Sequence, residues 1–308
     1  MPKRSLHDFV GNDGGCIPII MGPTASGKSA LALKIASLCN GEIISSDSMQ
    51  FYRGLEIGVA KPTTEEQRAV PHHLIDILDI TEKYDIFRFC ADAENTIAGI
   101  RARGRLPVVA GGSGLYLRAL IYGLDPLPAK QSLRDELDAK YDNEEHFPEL
   151  IAFMQEHCPD DCAKFYQHRR KLIRACEVYL LSGQQITTLQ NAQKNKKPRP
   201  DAKSFVLVWD RDILKQRIRQ RAEEMLNGGW IEEAKDLIGK GLLQTPTAWQ
   251  ALGYSLIAKY LAGEMSRSEL PEAISIATWQ FARRQITWFA HQHPEAEFIP
   301  MPCDLCTE

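Results

Sequence analysis

Residues Gly22-Pro23-Thr24-Ala25-Ser26-Gly27-Lys28-Ser29 spell a complete G-x-x-x-x-G-K-S loop. The apolar run Ile17 to Met21 before it reads as a buried strand, and after it Ala30, Leu31, Leu33, Ile35, Ala36 and Leu38 recur at helical spacing. A strand feeding a glycine-rich turn into a helix N-terminus aims backbone N–H groups and the positive end of the helix dipole at one point. Lys28 adds a point charge for a β-phosphate, and the Ser29 hydroxyl suits Mg²⁺. The loop predicts that the chain binds a di- or triphosphate. Working outward, Glu42 to Ser45 reads as a short buried strand. Thr81 to Arg101 fits a helix with Phe87, Cys90, Ala91, Ala93 and Ile97 on an apolar stripe. Leu106 to Ala110 is the next strand, closed by Gly111-Gly112-Ser113-Gly114. This alternation predicts an α/β fold, a P-loop NTPase-like parallel sheet flanked by helices.

Beyond residue 125 the character changes. Charged helical segments without a β-branched run follow Pro126 to Pro128, and Lys194 to Pro200 reads as a linker back to the core. Phe205 to Trp209 is a further buried strand, and Asp212 to Phe289 is helical. The expected organisation is a first core part over 15–128, a helical insertion over 129–200, and a second core part over 201–300.

Composition narrows the class. A chain of 308 residues with 44% hydrophobic and 25% charged content is ordinary for a soluble globular protein. No apolar run approaches the ~20 residues of a membrane span, and the first fifteen residues lack the apolar stretch of a signal peptide. Eight scattered cysteines suit free thiols in a reducing compartment, with Cys303 and Cys306 as a C-x-x-C in a fraying tail. A cytoplasmic protein without a membrane partner is expected, and nothing demands more than a monomer. Lys164 to Arg221 carries 15 Lys and Arg against 4 Asp and Glu, a net of +11 that leaves −14 for the rest of a chain whose total is −3. A basic block in an acidic protein is the footprint expected for a polyanion such as nucleic acid.

Active residues of phosphate-binding sheets lie at the carboxyl ends of strands. Asp47, in Ser45-Ser46-Asp47-Ser48-Met49-Gln50, sits just past such an end and reads as a general base, a Mg²⁺ partner or a turn cap. Ser113 follows another strand and is placed to donate to a phosphate oxygen. Asp76 and Asp210 follow apolar runs and are further Mg²⁺ candidates. Arg217 and Arg221, four apart, share one helix face as a phosphate clamp would. On these residues alone a small-molecule kinase stays open.

Taken in order, the segments are similar to those of the tRNA dimethylallyltransferases. They are Gly22 to Ser29, Ile44 to Gly54, Ile57 to Pro62, Pro71 to Asp76, Gly111 to Leu117, Arg174 to Val178, Leu252 to Tyr254 and Ala282 to Phe289. The resemblance implies that the loop cradles the diphosphate of dimethylallyl diphosphate, with Mg²⁺ near Ser29 and no nucleotide hydrolysed. It implies Asp47 as the base for the N6 amine of adenosine, and Ser113, Lys28, Arg217 and Arg221 as contacts of the leaving group. It further implies that an anticodon stem-loop is gripped by Asp47, Ser48, Met49, Gln50, Arg170, Lys171, Arg174, Trp249, Gly253, Tyr254, Arg283, Arg284, Gln285 and Trp288. His168, Trp279 and Ala290 depart from the family pattern in these RNA-contacting stretches. The alternatives are a prenyltransferase acting on free AMP or ADP, and the kinase.

Overall fold

The structure, a computed structural model, describes residues 3–11, 15–194 and 196–306. Six parallel strands form one sheet in the order His72–His73, Gly41–Ser45, Leu106–Gly111, Ile17–Met21, Ala202–Val208 and Glu297–Pro300. Every residue of Ile17–Met21 and of Leu106–Gly111 is buried, which is why these strands read as unbroken apolar runs and do not alternate. The chain leaves Ile17–Met21, skips one position to Gly41–Ser45, and fills the gap later with Leu106–Gly111. The carboxyl ends of these three strands open on one crevice, where α/β sheets hold ligands.

The P-loop helix Lys28–Leu38 buries Leu31, Ala32, Ile35 and Ala36 in a core cluster that includes Ile20, Val108 and Phe205. Glu42 interrupts the apolar pattern of its strand. Arg103 and Arg105 donate to its buried carboxylate at 2.6 and 3.2 Å, and His73 stands 2.5 Å away. The Arg103 guanidinium, helped by His73, holds that carboxyl at about 2 against the opposing effect of burial.

Two boundaries differ from the sequence reading. The helix expected from Thr81 starts at Ile86, because the Asp85 carboxylate accepts from the N–H groups of Phe87 and Arg88 and so caps it there. The strand expected at Phe205 to Trp209 runs from Ala202 to Val208. The C-terminal C-x-x-C is no fraying tail: Asp304–Cys306 pairs in parallel with Lys3–Ser5. The Cys306 side chain lies outside the described residues, as do residues 12–14 of the N-terminal stretch and Asn195 of the linker.

The chain divides into two compact units, one of Met1–Ile121 with Pro198–Glu308 and the other of Tyr122–Lys197. The second unit comprises helices Gln131–Tyr141, Phe147–His157, Pro159–Phe165, Arg169–Ser182 and Ile186–Lys194, packed around Leu150, Met154, Leu172 and Cys176. The chain enters it at Tyr122, inside the stretch the sequence left with the core. No described helix is long and apolar enough to cross a membrane.

Candidate active site

The P-loop is shaped by two left-handed residues, Ala25 (φ 62°) and Gly27 (φ 88°). Gly22 must lack a side chain, since a Cβ there would sit 2.7 Å from Ser26 Oγ. No side chain caps the N-terminus of Lys28–Leu38, so its first-turn amides are left for a ligand. Three residues brace the loop from outside. Trp209 Nε1 donates to the Ser26 carbonyl at 2.8 Å, and Arg217 Nε donates to the Ala25 carbonyl at 2.9 Å. The Arg217 guanidinium lies over the Trp209 ring, 4.4 Å from its centroid. The third brace is Gln285, on the long helix Leu270–Gln292. Its Oε1 accepts from the Thr24 N–H at 2.9 Å and its Nε2 donates to the Gly112 carbonyl at 2.9 Å. One buried amide thereby fixes the P-loop against the turn after Leu106–Gly111.

These elements enclose a cavity of about 360 Å³ lined by Thr24, Lys28, Ser29, Asp47, Ser113 and Arg221, among others. Asp47 is set by its own turn: its N–H donates to Ser45 Oγ at 3.2 Å and its Oδ1 accepts from the Met49 N–H at 3.1 Å. Ser113 Oγ accepts from the Ser48 N–H at 3.0 Å and donates to Ser48 Oγ at 3.2 Å, joining two strand ends. Gln50 Nε2 donates to the carbonyls of Val59 and Ala60, so the Asp47 turn and the Gly58–Ala60 wall move as one piece. The wall rests on a buried cation. Lys61, with its side chain 1% exposed, donates to the Tyr52 carbonyl and pairs with Glu56 at 2.8 Å and Asp76 at 2.5 Å.

Burial pushes the Lys28 ammonium down to about 8; Asp47 opposes the fall and Arg221 adds to it. An anion bound here favours the charged ammonium, so affinity for a diphosphate is full below this value and falls as pH rises through it. KM for the diphosphate substrate is expected to climb by up to about tenfold per pH unit above 8, a break absent in Lys28→Arg because arginine stays charged. A flat profile for the parent protein contradicts this.

Several residues named from sequence stand elsewhere. Asp76 is committed to Lys61, and Asp210 caps helix Arg211–Asn227 by accepting from the Asp212 and Ile213 N–H groups, so neither reaches the cavity as a metal ligand. Arg217 holds the Ala25 carbonyl and borders a second opening at the loop with Lys28, Ser29 and Arg221, whereas Arg221 also lines the cavity that holds Asp47. Arg174 is turned into the helical unit, donating to Glu177 at 2.6 Å and to the carbonyls of Leu127 and Pro128. Arg170, with 90% of its side chain exposed, and Lys171 remain on the surface. Tyr254 is fully buried, its hydroxyl donating to Glu233 at 2.6 Å, and Gly253 adopts φ 93° against the Trp230 ring. Trp249 is 46% exposed. Arg283, Arg284 and Trp288 line an open cleft along helix Leu270–Gln292, with Arg284 also reaching the cavity. Trp279 lies beneath the cations of Arg211 and Lys215, and His168 is exposed just before helix Arg169–Ser182.

Comparison with known proteins gives this geometry a family. The family described as "IPP transferase" matches residues 50–292, and "Isopentenyl transferase" matches residues 16–81. The chain belongs to the IPP transferase family. A tRNA dimethylallyltransferase of Deinococcus radiodurans is 38% identical over 281 residues, 90% of each chain. The crystal structure of the full-length tRNA isopentenylpyrophosphate transferase of Bacillus halodurans is 34% identical, with a TM-score of 0.67 over 94% of this chain and 90% of that one. A eukaryotic dimethylallyltransferase, 24% identical with a TM-score of 0.78 over 97% of this chain and 74% of that one, shares the fold. Within the family, the kinase reading of the P-loop falls away.

The sequence missed the braces. The resemblance implies an RNA contact at Gln285 and includes Lys61 in the segment Ile57 to Pro62 without a role, and Glu233 and Trp230 stand out by no local pattern. Their partners lie up to 261 positions away, and no local period reports such a contact.

Proposed function

We propose that this tRNA dimethylallyltransferase transfers a dimethylallyl group from dimethylallyl diphosphate to N6 of the adenosine at tRNA position 37, 3′ of the anticodon, in tRNAs reading codons that begin with U. The observation carrying this reading is the convergence of Lys28, Arg221 and Asp47 on one cavity that also presents the apolar side chains of Ile218, Ala222, Met225, Leu252 and Phe281. Cations and loop amides suit a diphosphate, apolar walls suit a prenyl chain, and the carboxylate suits a proton. As N6 attacks the allylic carbon, the carbon–oxygen bond to the diphosphate breaks and Asp47 takes the N6 proton. Lys28, Arg221 and the Ser113 hydroxyl stabilise the negative charge that develops on the departing diphosphate.

The site fits Mg²⁺ held mainly by substrate. Among the described residues no cluster of three His, Cys, Asp or Glu side chains forms a cage, and the Ser29 hydroxyl and Asp47 carboxylate share the cavity. Magnesium keeps much of its shell on phosphates and water, so one hydroxyl and the diphosphate oxygens suffice. When bound it would neutralise charge on the leaving group.

In this reading the anticodon stem-loop contacts Arg283, Arg284 and Trp288, and Arg170 and Lys171, exposed on the helical unit, are separate candidates for phosphate contact. Replacing Arg170 and Lys171 with alanine is expected to weaken tRNA binding and to lower the slope of log K against log salt by about one per lost phosphate contact. An unchanged slope removes them from the interface. The activity itself is tested by offering labelled dimethylallyl diphosphate with an unmodified stem-loop or with free AMP. Label in the RNA alone supports the reading, and label in AMP alone replaces it with the free-nucleotide activity.

A further inference from the structure

Trp230 is only 2% exposed, yet its ring borders the cavity. It opens helix Trp230–Gly239 directly after Gly228 and Gly229. Two glycines from distant segments make room for the indole. A Cβ on Gly58 would lie 2.2 Å from Trp230 Nε1, and one on Gly253 would lie 2.3 Å from the far edge of the ring. Tyr254 packs edge-on against the indole with centroids 5.8 Å apart. The Tyr254 hydroxyl donates to Glu233, one helical turn past Trp230. That same carboxylate accepts from the consecutive N–H groups of Glu56, Ile57 and Gly58 at 3.1, 2.7 and 3.1 Å. The helix that delivers the ring therefore also clamps the loop in front of it. The indole is held between Gly58, Gly253 and Tyr254, with the cavity on its remaining side.

Its position along the cavity follows from helix Arg211–Asn227. That helix lines the cavity with Ile218, Arg221, Ala222 and Met225. Met225 lies one turn, about 5.4 Å, past Arg221 along the axis. Trp230 follows just beyond the helix end. A prenyl chain extending from a diphosphate at Lys28 and Arg221 past Met225 would meet the indole, since all four residues line the one cavity.

We propose that Trp230 is the end wall of the donor chamber and limits the enzyme to a five-carbon prenyl diphosphate, an inference that rests on the transfer reaction proposed above. A donor with a second isoprene unit would need the volume that the indole fills, and a close-packed wall rejects added carbons sterically. Glu233 and Tyr254 act as positioning residues for the wall.

The test compares kcat/KM for geranyl diphosphate and dimethylallyl diphosphate, with the anticodon stem-loop as acceptor, in the parent protein, Trp230→Ala and Trp230→Leu. The ten-carbon to five-carbon ratio is expected to rise about 100-fold in Trp230→Ala and about tenfold in Trp230→Leu. A ratio that stays at the parent value in a folded variant, or a parent protein that uses both donors equally, overturns the proposal. Loss of both donors in a folded variant also overturns it, since the ring would then serve the chemistry and not the length. Should Trp230→Ala fail to fold, Trp230→Leu, which keeps an apolar wall, decides. A parent protein that transfers no dimethylallyl group to the stem-loop refutes the reaction itself and is thereby distinguished from failure of the length limit.

Discussion

Replacing Asp47 with asparagine is expected to lower the single-turnover rate of dimethylallyl transfer by about 10² to 10⁴ while the Kd for the anticodon stem-loop changes little. An exocyclic adenine amine carries a proton that must leave as the new carbon–nitrogen bond forms, and Asp47 is the carboxylate that shares the cavity with Lys28 and Arg221. The other acids named from sequence are engaged elsewhere, Asp76 with Lys61 and Asp210 as a helix cap. Asparagine keeps an oxygen for the Met49 N–H, so the turn survives and only proton acceptance is lost. A second signature follows from electrostatics. The Asp47 charge raises the Lys28 pKa, so its removal moves the break in donor KM to a pH below about 8. Equal losses in rate and in RNA affinity would make Asp47 a positioning residue instead.

The other large effect lies in the helical unit. The Glu177 carboxylate, 0% exposed, accepts from the Lys130 N–H at 2.9 Å, from Arg134 at 2.6 and 2.9 Å, and from Arg174 at 2.6 Å. Burial works against its charge, yet these donors hold its pKa below the usual carboxylate value. The stability it contributes is therefore present above the ordinary carboxylate pKa and lost as pH falls through the lowered one. Glu177→Ala leaves two guanidinium groups facing each other without their anion and is expected to destabilise this unit by about 3–5 kcal/mol, read by urea unfolding at neutral pH. Glu177→Gln should lie between, because it retains an acceptor without the charge. The same network separates two arginines that look alike in sequence. Arg174→Ala should lower the midpoint of unfolding, whereas Arg170→Ala should leave stability intact and change only RNA binding. An unchanged midpoint for Arg174→Ala would contradict the structural role given to it.

How much of this was legible in sequence depended on the range of the forces involved. The phosphate loop, the strand before it and the helix after it are specified within about twenty residues. Glycine positions, an apolar run and a 3.6-residue period sufficed to read them. Asp47 and Ser113 were legible because each directly follows a strand, where α/β sheets place active groups. Arg174 stands in the basic block read as a polyanion footprint, and the resemblance implies an RNA contact there. Glu177, three positions on and thus on the same side of the helix, draws it inward. Arg217 and Arg221 share a helix face and both border the loop beside Lys28 and Ser29, and one turn of separation takes only Arg221 into the cavity that holds Asp47. The Gln285 bridge and the Glu233 clamp join segments more than 170 positions apart, so only the folded chain reveals them.

The central claim is that the P-loop grips a leaving diphosphate and does not split a nucleotide. The most direct measurement supplies dimethylallyl diphosphate carrying one label in the prenyl group and another in the terminal phosphate, with Mg²⁺, stem-loop RNA and no ATP. Prenyl label is expected to enter the RNA in equal amount to the inorganic diphosphate released, with no phosphate label on the RNA. A requirement for ATP, or phosphate label transferred to the acceptor, would contradict the claim.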